Sequence, residues 1–180
     1  HSHKLKTLKS HYIGCKNLST HFLNSKIKKF IQIGSCIEYG KIKSPQIESN
    51  LNKKTFSIYG SAKLLSTQFL LKLFKRFNFP VTILRLYLVY GPNQDANRVI
   101  PVTIINALKN KKFNCSNGSQ LRDFTYIDDI VSAIIKTLKN SKSSGEIINI
   151  GSGNPISIKK VIIKICELIK SGKPQFGKIK

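Results

Sequence analysis

The stretch "VTILRLYLVYG", residues 81–91, is a continuous apolar run that lies between Pro80 and the turn that begins at Gly91. Apolar runs of this length between turn signals are typical of buried strands. "KKFIQIG", residues 28–34, has the same character, and a long helical pattern of apolar residues runs from Tyr59 to the proline that precedes the second strand. Strand, helix and strand in this order predict an α/β layer with a parallel sheet.

The rest of the chain continues this alternation. A helix is predicted over residues 4–24, and a loop around Pro45 separates the first strand from the long helix. Past residue 92 the predicted elements are a helix at 98–110, a strand near "RDFTY" (122–126), a helix from Asp128 to Leu138, a strand "EIINI" (146–150) and a helix from Ser157 to Ile169. Asp128 and Ser157 are expected to be N-caps. We therefore expect two parts, residues 1–92 and residues 93–180.

The 180-residue chain carries a formal net charge of +23, and only four of its 31 basic residues are arginine. A basic surface attracts nucleic acid, but the arginine-rich and aromatic patches that read or stack on bases are missing. Specific nucleic-acid binding is therefore not expected. A coding bias toward Lys, Ile and Asn explains the charge, and a basic RNA-binding protein is kept as an alternative.

Four cysteines lie far apart in the sequence without a C-x-x-C pair, so neither a zinc site nor an obvious disulfide framework is indicated. The four histidines follow no spacing typical of metal ligands, and no metal is predicted. No apolar run approaches the length needed to span a bilayer. These features predict a cytoplasmic protein without membrane contact. Because the chain begins with His1 and contains no Met, we expect it to be part of a longer protein.

"EIINIGSGNPISIKKV", residues 146–161, superficially resembles the glycine-rich turn that binds dinucleotides. The third glycine position holds Ile156, and no acidic residue follows about twenty positions later, as the dinucleotide-binding pattern requires. Gly151 and Gly153 are therefore expected to form only a tight turn.

A tyrosine followed four residues later by a lysine occurs three times, which is close to chance in so lysine-rich a chain. The three pairs are Tyr12 with Lys16, Tyr39 with Lys43, and Tyr59 with Lys63. Only the last pair combines a helix, which places both side chains on one face, with a polar residue at a strand end, Ser35. Ligands of open α/β folds bind at the carboxyl ends of the strands. The third pair is therefore the one expected to have a chemical role.

Five blocks carry a resemblance to a known family. In chain order they are "IQIGSCIEYG" (31–40), "YGSAK" (59–63), "ILRLYLVYGP" (83–92), "QLRDFTYIDDIVSAI" (120–134) and "INIGSGNPISI" (148–158). Together they resemble the extended short-chain dehydrogenases/reductases, in the NAD(P)-dependent epimerase/dehydratase group that acts on nucleotide sugars. The resemblance implies a partial Rossmann-like doubly wound parallel sheet, with its first strands missing, and a smaller α/β substrate-binding part. It also implies NAD or NADP as cofactor, a nucleotide-diphosphate sugar as substrate and a homodimer when the chain is full length.

The resemblance also assigns roles to residues. Tyr59 matches the catalytic tyrosine, Lys63 the lysine that holds the nicotinamide ribose and lowers the pKa of the tyrosine, and Ser35 the residue that hydrogen-bonds the reacting oxygen. All three would contact the cofactor. A phenol has an ordinary pKa near 10, so a neighbouring ammonium helps it to act as a base at neutral pH.

Three further matches concern cofactor and substrate contacts. Tyr87 lies where the family has a residue near the nicotinamide, although an ordinary strand residue is an equally good interpretation. Arg122 matches an arginine on the sugar diphosphate, for which a guanidinium fork is well suited. Leu88 stands at the substrate-binding position where many members have Asn.

Departures from the family pattern reduce the number of reactions that the resemblance implies. "HYIGC", from His11 to Cys15, replaces an Asn-x-x-Gly-Thr stretch. Cys36 and Ile37 replace the Asp and Glu of dehydratases. Without these carboxylates 4,6-dehydration is disfavoured, and epimerisation or 4-keto reduction is expected. A dehydratase relative and a non-catalytic dinucleotide-binding homologue are the alternatives.

Overall fold

The computed structural model describes residues 2–50 and 54–179, which form two compact units. The first unit comprises His1–Tyr87 with Asp128–Ile150, and the second comprises Leu88–Ile127 with Gly151–Lys180. The boundaries of these units differ from the expected division of the chain after residue 92. The reason is that the segment 128–150 returns to the first unit and supplies a strand of its sheet.

The first unit begins with a helical segment that matches the predicted helix 4–24. It consists of α1 (Ser2–Leu8), a π-helical turn (Lys9–Ile13) and α2 (Gly14–His21). Strand β1 (Phe30–Ser35) follows and runs directly into a short 3₁₀ helix (Cys36–Tyr39).

The long helix α3 (Ile58–Phe77) has a cap at each end that the sequence explains. The Ser57 hydroxyl oxygen accepts a hydrogen bond from the Gly60 N–H (3.0 Å), and so satisfies one free amide of the first turn. At the other end Asn78 adopts a left-handed conformation (φ 53°), which a short polar side chain tolerates well. Pro80 then follows, and β2 (Val81–Leu86) begins.

A parallel three-stranded sheet forms the centre of the first unit, in the order β1-β2-β7, with β7 at Ile147–Ile150. Strand β2 is central and almost completely buried, whereas β1 lies at an edge. Helix α5 (Ile127–Lys139) precedes β7. The buried core cluster joins α2, α3 and the sheet through Cys15, Leu70, Leu73, Phe79, Val81 and Ile83.

Two local predictions are corrected. The run 81–91 is two strands rather than one, because the chain changes hydrogen-bond partners after residue 87: the Tyr87 N–H donates to the carbonyl oxygen of Ile150, and the Leu88 N–H donates to that of Asp123. Asp128 is not an N-cap, since helix α5 begins one residue earlier and places Asp128 in its first turn. A carboxylate in the first turn still interacts favourably with the positive end of the helix dipole.

The second unit is built from short strand pairs and two helices. Strand β3 (Leu88–Tyr90) pairs parallel with β6 (Phe124–Tyr126), β4 (Lys112–Asn114) parallel with β9 (Lys173–Gln175), and β5 (Leu121–Arg122) antiparallel with β8 (Ile156–Ser157). Helices α4 (Val99–Leu108) and α6 (Ile158–Ile169) pack together. Ser157 is the predicted N-cap of α6, and its hydroxyl accepts from the Lys160 N–H.

Among the described residues, no helix combines the length and the apolar character that crossing a membrane requires.

Candidate active site

Ser35 lies at the carboxyl end of β1, where the sequence predicts it. Its hydroxyl oxygen faces the Ile37 N–H at 3.4 Å, and its own N–H donates to Oε1 of Glu38 at 2.8 Å. These two contacts form a capping box at the start of the 3₁₀ helix. The Ser35 hydroxyl is therefore used locally as an acceptor, which leaves its O–H able to donate elsewhere.

Lys63 lies on α3, and its side chain reaches back to β1. The ammonium donates a hydrogen bond of 2.7 Å to the carbonyl oxygen of Ile33, and the residue is only 9% exposed. Burial lowers the pKa of Lys63 from its ordinary value, and the electrostatic interactions with Glu38 and Cys15 act in the opposite direction. The lysine is thus held in one place, close to the end of the strand that carries Ser35.

Tyr59 lies one helical turn before Lys63 on α3 and is 39% exposed. The Lys63 ammonium is 5.8 Å from the centre of the Tyr59 ring. The imidazole of His11 meets the same ring edge to face, with ring centres 5.0 Å apart. Burial, and then the nearby Lys63 charge, lowers the pKa of His11. Tyr59 and Lys63 thus lie next to each other in the first turns of α3, with His11 against the Tyr59 ring, and Lys63 reaches the strand that ends at Ser35.

Beneath Ser35 lies a buried ion pair that joins the 3₁₀ helix to β2. Glu38 and Arg85 are both completely buried, with Oε2 of Glu38 at 3.1 Å from both Nε and Nη2 of Arg85. The same oxygen accepts a hydrogen bond from the Thr67 hydroxyl on α3 (2.8 Å). The Arg85 guanidinium also stacks over the ring of Tyr39 at 4.4 Å.

A second polar network fastens the loop after residue 40 to the sheet. The Tyr87 hydroxyl donates to the side-chain oxygen of Gln46 (3.0 Å), and the backbone N–H of Asn149 donates to Glu48 (2.9 Å). The side chain of Asn149 donates to the Gln46 carbonyl oxygen and accepts from the Tyr39 hydroxyl. Tyr87 thus holds this loop at the carboxyl ends of β2 and β7. Its predicted place beside the nicotinamide stays a prediction.

The other two Tyr-Lys pairs have different surroundings. Tyr39 is completely buried and donates its hydroxyl hydrogen to Asn149, so its phenol cannot reach a substrate. Tyr12 meets Phe69 edge to face, and Lys16 lies 6.0 Å over the same ring. Tyr39 and Tyr12 therefore have packing roles, whereas Lys63 of the third pair is bonded to the strand that ends at Ser35.

The predicted substrate residues lie in the second unit. Leu88 pairs with Phe124 across β3 and β6, and the exposed Arg122 on β5 donates from Nη1 to the carbonyl oxygen of Leu121. Next to it, Asp123 accepts hydrogen bonds from the N–H groups of Ser152 and Gly153 at 2.8 and 2.9 Å.

Two amides of the "GSG" turn thus bind a carboxylate of the chain itself, and Gly153 has the positive φ (75°) expected of a tight turn.

Neither Glu38 nor His11 is among the residues predicted for the site. Glu38 has a sequence signal, since Ser35 and Glu38 have the S-x-x-E spacing of a capping box. Its pairing with Arg85 has none, because the two residues are 47 positions apart. His11 stands where the family has Asn, but nothing local in the sequence places it against Tyr59.

The geometry of Lys63 fits a nicotinamide ribose. Its ammonium has three donors, and the described residues supply one acceptor, the Ile33 carbonyl oxygen. Two N–H groups of a side chain that is 9% exposed are thus left for hydroxyl groups of a ligand. In the ranges 2–50 and 54–179, no three His, Cys, Asp or Glu side chains come together as a metal site.

The sequence pattern of the NAD dependent epimerase/dehydratase family matches residues 1–151. Human dTDP-D-glucose 4,6-dehydratase is 33% identical over 148 residues, which are 81% of this chain and 42% of that protein. The ADP-L-glycero-D-manno-heptose-6-epimerase of Brachyspira hyodysenteriae is 30% identical over 177 residues, 94% of this chain and 55% of that protein.

Among solved structures, the UDP-glucuronic acid 4-epimerase from Bacillus cereus in complex with UDP-glucuronic acid and NAD matches with a TM-score of 0.83 and 32% identity. The match covers 93% of this chain and 54% of that one. The chain therefore spans about half the length of the proteins that it matches.

These matches confirm the predicted Rossmann-like α/β fold and the nicotinamide cofactor as that of the family. The predicted resemblance to the epimerase/dehydratase group of the extended short-chain dehydrogenases/reductases is also confirmed. The chain belongs to the NAD-dependent epimerase/dehydratase family.

Proposed function

We propose that this chain carries the catalytic residues of a nucleotide-sugar epimerase or 4-keto-sugar reductase that uses NAD or NADP, with Tyr59 as the acid/base. One observation carries the proposal. Tyr59 is a partly exposed phenol one helical turn from a nearly buried ammonium, that of Lys63, which is bonded to the backbone of the strand that ends at Ser35.

Tyr59 moves the proton in this mechanism. An ammonium close to a phenol favours the phenolate, which can take a proton from a sugar hydroxyl. In the reverse direction the phenol returns the proton to a carbonyl oxygen. The O–H of Ser35 can donate to the same oxygen and so fix its position, because the Ser35 oxygen already uses an acceptor site for the Ile37 N–H.

The nicotinamide cofactor supplies the hydride acceptor and donor when it is bound. Lys63 would hold its ribose through the two N–H groups that do not bind Ile33. Tyr87 would lie beside the nicotinamide, as the family resemblance implies. Because Lys63 is fixed to the backbone of β1, it would place the ribose relative to Ser35 and Tyr59.

Glu38 bears on the alternative of dehydration. The carboxylates expected of a dehydratase are replaced by Cys36 and Ile37, and Glu38 is the nearest acidic residue that follows them. Both of its oxygens are engaged and the side chain is completely buried, so it cannot serve as a base for substrate. This supports epimerisation or 4-keto reduction over 4,6-dehydration, although a dehydratase is among the relatives.

The substrate in this proposal is a nucleotide-diphosphate sugar. Arg122 is exposed and offers a guanidinium fork that suits diphosphate oxygens, and Leu88 is the second substrate-binding position. The homodimer is part of the same proposal and rests on the family resemblance, whereas the proposed cytoplasmic location rests on the sequence features described above. A non-catalytic homologue is less well supported, since Tyr59 and Lys63 are both present.

The test is turnover by the protein that carries this chain, with a panel of UDP-, dTDP-, CDP- and ADP-sugars and either cofactor, followed by NMR of the products. Tyr59→Phe keeps the ring and removes the proton carrier, so turnover should fall by about 10² to 10⁴ while cofactor affinity stays unchanged. Tyr12→Phe is the matched control and should retain turnover. Full activity in Tyr59→Phe would contradict the proposal.

A further inference from the structure

Glu38 is the one acidic residue in the fully buried core of the described chain, and each of its contacts reaches a different element. Oε1 accepts from the backbone N–H of Ser35 at the end of β1 (2.8 Å). Oε2 accepts from the Thr67 hydroxyl on α3 (2.8 Å) and from Nε of Arg85 on β2 (3.1 Å).

A buried carboxylate is an expensive way to fill space, because it must be removed from water. An apolar side chain at this position would avoid that penalty, but it would leave the completely buried Arg85 guanidinium without its partner. The surrounding sequence also accommodates the carboxylate: a Cβ on Gly34 would lie 2.7 Å from Oε1 of Glu38, so only glycine leaves room for it. The ion pair with Arg85 and the space beside Gly34 together hold the carboxylate in one geometry.

The geometry it fixes includes the helix face of the active site. Thr67 follows Lys63 by four residues and Tyr59 by eight, so all three lie along one stripe of α3. The same carboxylate that binds Thr67 also binds the backbone of Ser35. Glu38 is therefore a direct link between the strand end that presents Ser35 and the helix stripe that presents Tyr59 and Lys63.

We propose that Glu38 is a positioning residue, which holds Ser35 in register with Tyr59 and Lys63 through its simultaneous bonds to the Ser35 amide, Thr67 and Arg85. This inference rests on the proposed function, since it presumes that Ser35 and Tyr59 act on one substrate oxygen. Glu38 touches neither substrate nor cofactor, because its side chain is completely buried. Small misplacements of reacting groups reduce rates by up to about 10²-fold, so kcat is the parameter that should respond.

The test uses one variant that removes a single link and one that disturbs all three, both in the protein that carries this chain. Thr67→Val removes the helix link and leaves both other bonds of Glu38 in place. We expect kcat to fall about tenfold with little change in KM, and Thr67→Ser to restore it. Glu38→Gln disturbs all three links and should lower kcat by roughly 10- to 100-fold, with faster hydrogen exchange of the Ser35 amide as an independent readout.

Thr82→Val is the matched control. Thr82 is equally buried on β2, and its hydroxyl bonds the Ser143 carbonyl oxygen, away from Ser35. It should lose stability to a similar degree as Thr67→Val and keep its kcat. The positioning role would be overturned if Thr67→Val kept the wild-type kcat, or if Thr67→Val and Thr82→Val lost kcat equally. In either case Tyr59→Phe would still be inactive, and the proposed function would stand. Turnover that survives Tyr59→Phe would instead contradict the proposed function itself.

Discussion

The ammonium of Lys63 donates a 2.7 Å hydrogen bond to the carbonyl oxygen of Ile33, two residues before Ser35 on the same strand. A flexible side chain is thus attached to a rigid strand at a fixed distance from the residue with which it is proposed to act. The arrangement has an energetic penalty, because the charged group is nearly buried.

Lys63→Met tests this penalty against the catalytic role. Burial lowers the folded-state pKa of Lys63 below its ordinary value of 10.5. Protonating Lys63 therefore costs stability: its contribution to the free energy of unfolding is highest above pH 10.5, where Lys63 is neutral in both states, and it decreases as pH falls through the folded-state pKa. The wild type therefore carries this penalty wherever Lys63 is charged in the folded protein. We expect Lys63→Met to unfold at no lower temperature than wild type while turnover and cofactor affinity both fall. A strongly destabilised Lys63→Met would show that the ammonium is needed for folding.

The contact between Gly34 and Glu38 can be measured with a double-mutant cycle. Gly34→Ala should destabilise the protein, since the new Cβ would lie 2.7 Å from Oε1 of Glu38. In a Glu38→Ala background that atom is gone, and the same substitution should be milder. We expect a coupling free energy of about 0.5–3 kcal/mol from urea denaturation. Additive effects would mean that the neighbouring Ile83 and Arg85 side chains, rather than Glu38, exclude a larger residue.

Tyr39→Phe separates stability from activity. The Tyr39 hydroxyl donates to the side-chain oxygen of Asn149 at 2.8 Å inside the protein, and its loss should lower the free energy of unfolding by about 1 kcal/mol. Turnover should persist, because this phenol is buried. Tyr12→Phe, compared in the same denaturation series, should change stability less. Loss of turnover in Tyr39→Phe with wild-type activity in Tyr59→Phe would reverse the assignment of the acid/base.

His11 should titrate below the ordinary histidine value of 6.5. Burial is the main cause and the Lys63 charge the second, so Lys63→Met should raise the His11 pKa part of the way back. Because the folded-state pKa is lowered, neutral His11 makes its full contribution to the free energy of unfolding above pH 6.5, and this contribution is lost as pH falls through the folded-state pKa. NMR titration of the imidazole protons, assigned with His11→Asn, provides the measurement. A His11 pKa at or above 6.5 would contradict the observed packing.

The sequence predicts the layer of strands and helices well, because the spacing of apolar residues and the residues that end an element are local signals. Pro80 ends a helix and the apolar run after it is a strand, and both features are visible within a few residues. The break of that run after Tyr87 is not visible, since it depends on which distant strand supplies the hydrogen bonds. For the same reason, the return of β7 to the first sheet could not be predicted from spacing.

The candidate site likewise contains residues that local motifs predict and contacts that they do not predict. Ser35, Tyr59 and Lys63 come from motifs, and the structure places them at one end of a strand and a helix. Glu38 could be inferred as a cap of its own turn, but its bonds to Thr67 and Arg85 join segments 29 and 47 residues away. Contacts of this kind depend on the packed fold and leave no periodic trace in the sequence.

Strand β1 lies at the edge of its sheet, and in the described part of the chain it pairs with β2 alone. The Phe30 N–H bonds the Pro80 carbonyl oxygen beside β2, so the alternate residues Ile33 and Ser35 direct their backbone groups to the other side of the strand. There the Ile33 carbonyl oxygen accepts from Lys63, and the Ser35 N–H donates to Glu38. The two side chains that the proposed site depends on therefore also protect the carboxyl end of an edge strand, where unpaired backbone groups would otherwise invite pairing with another chain.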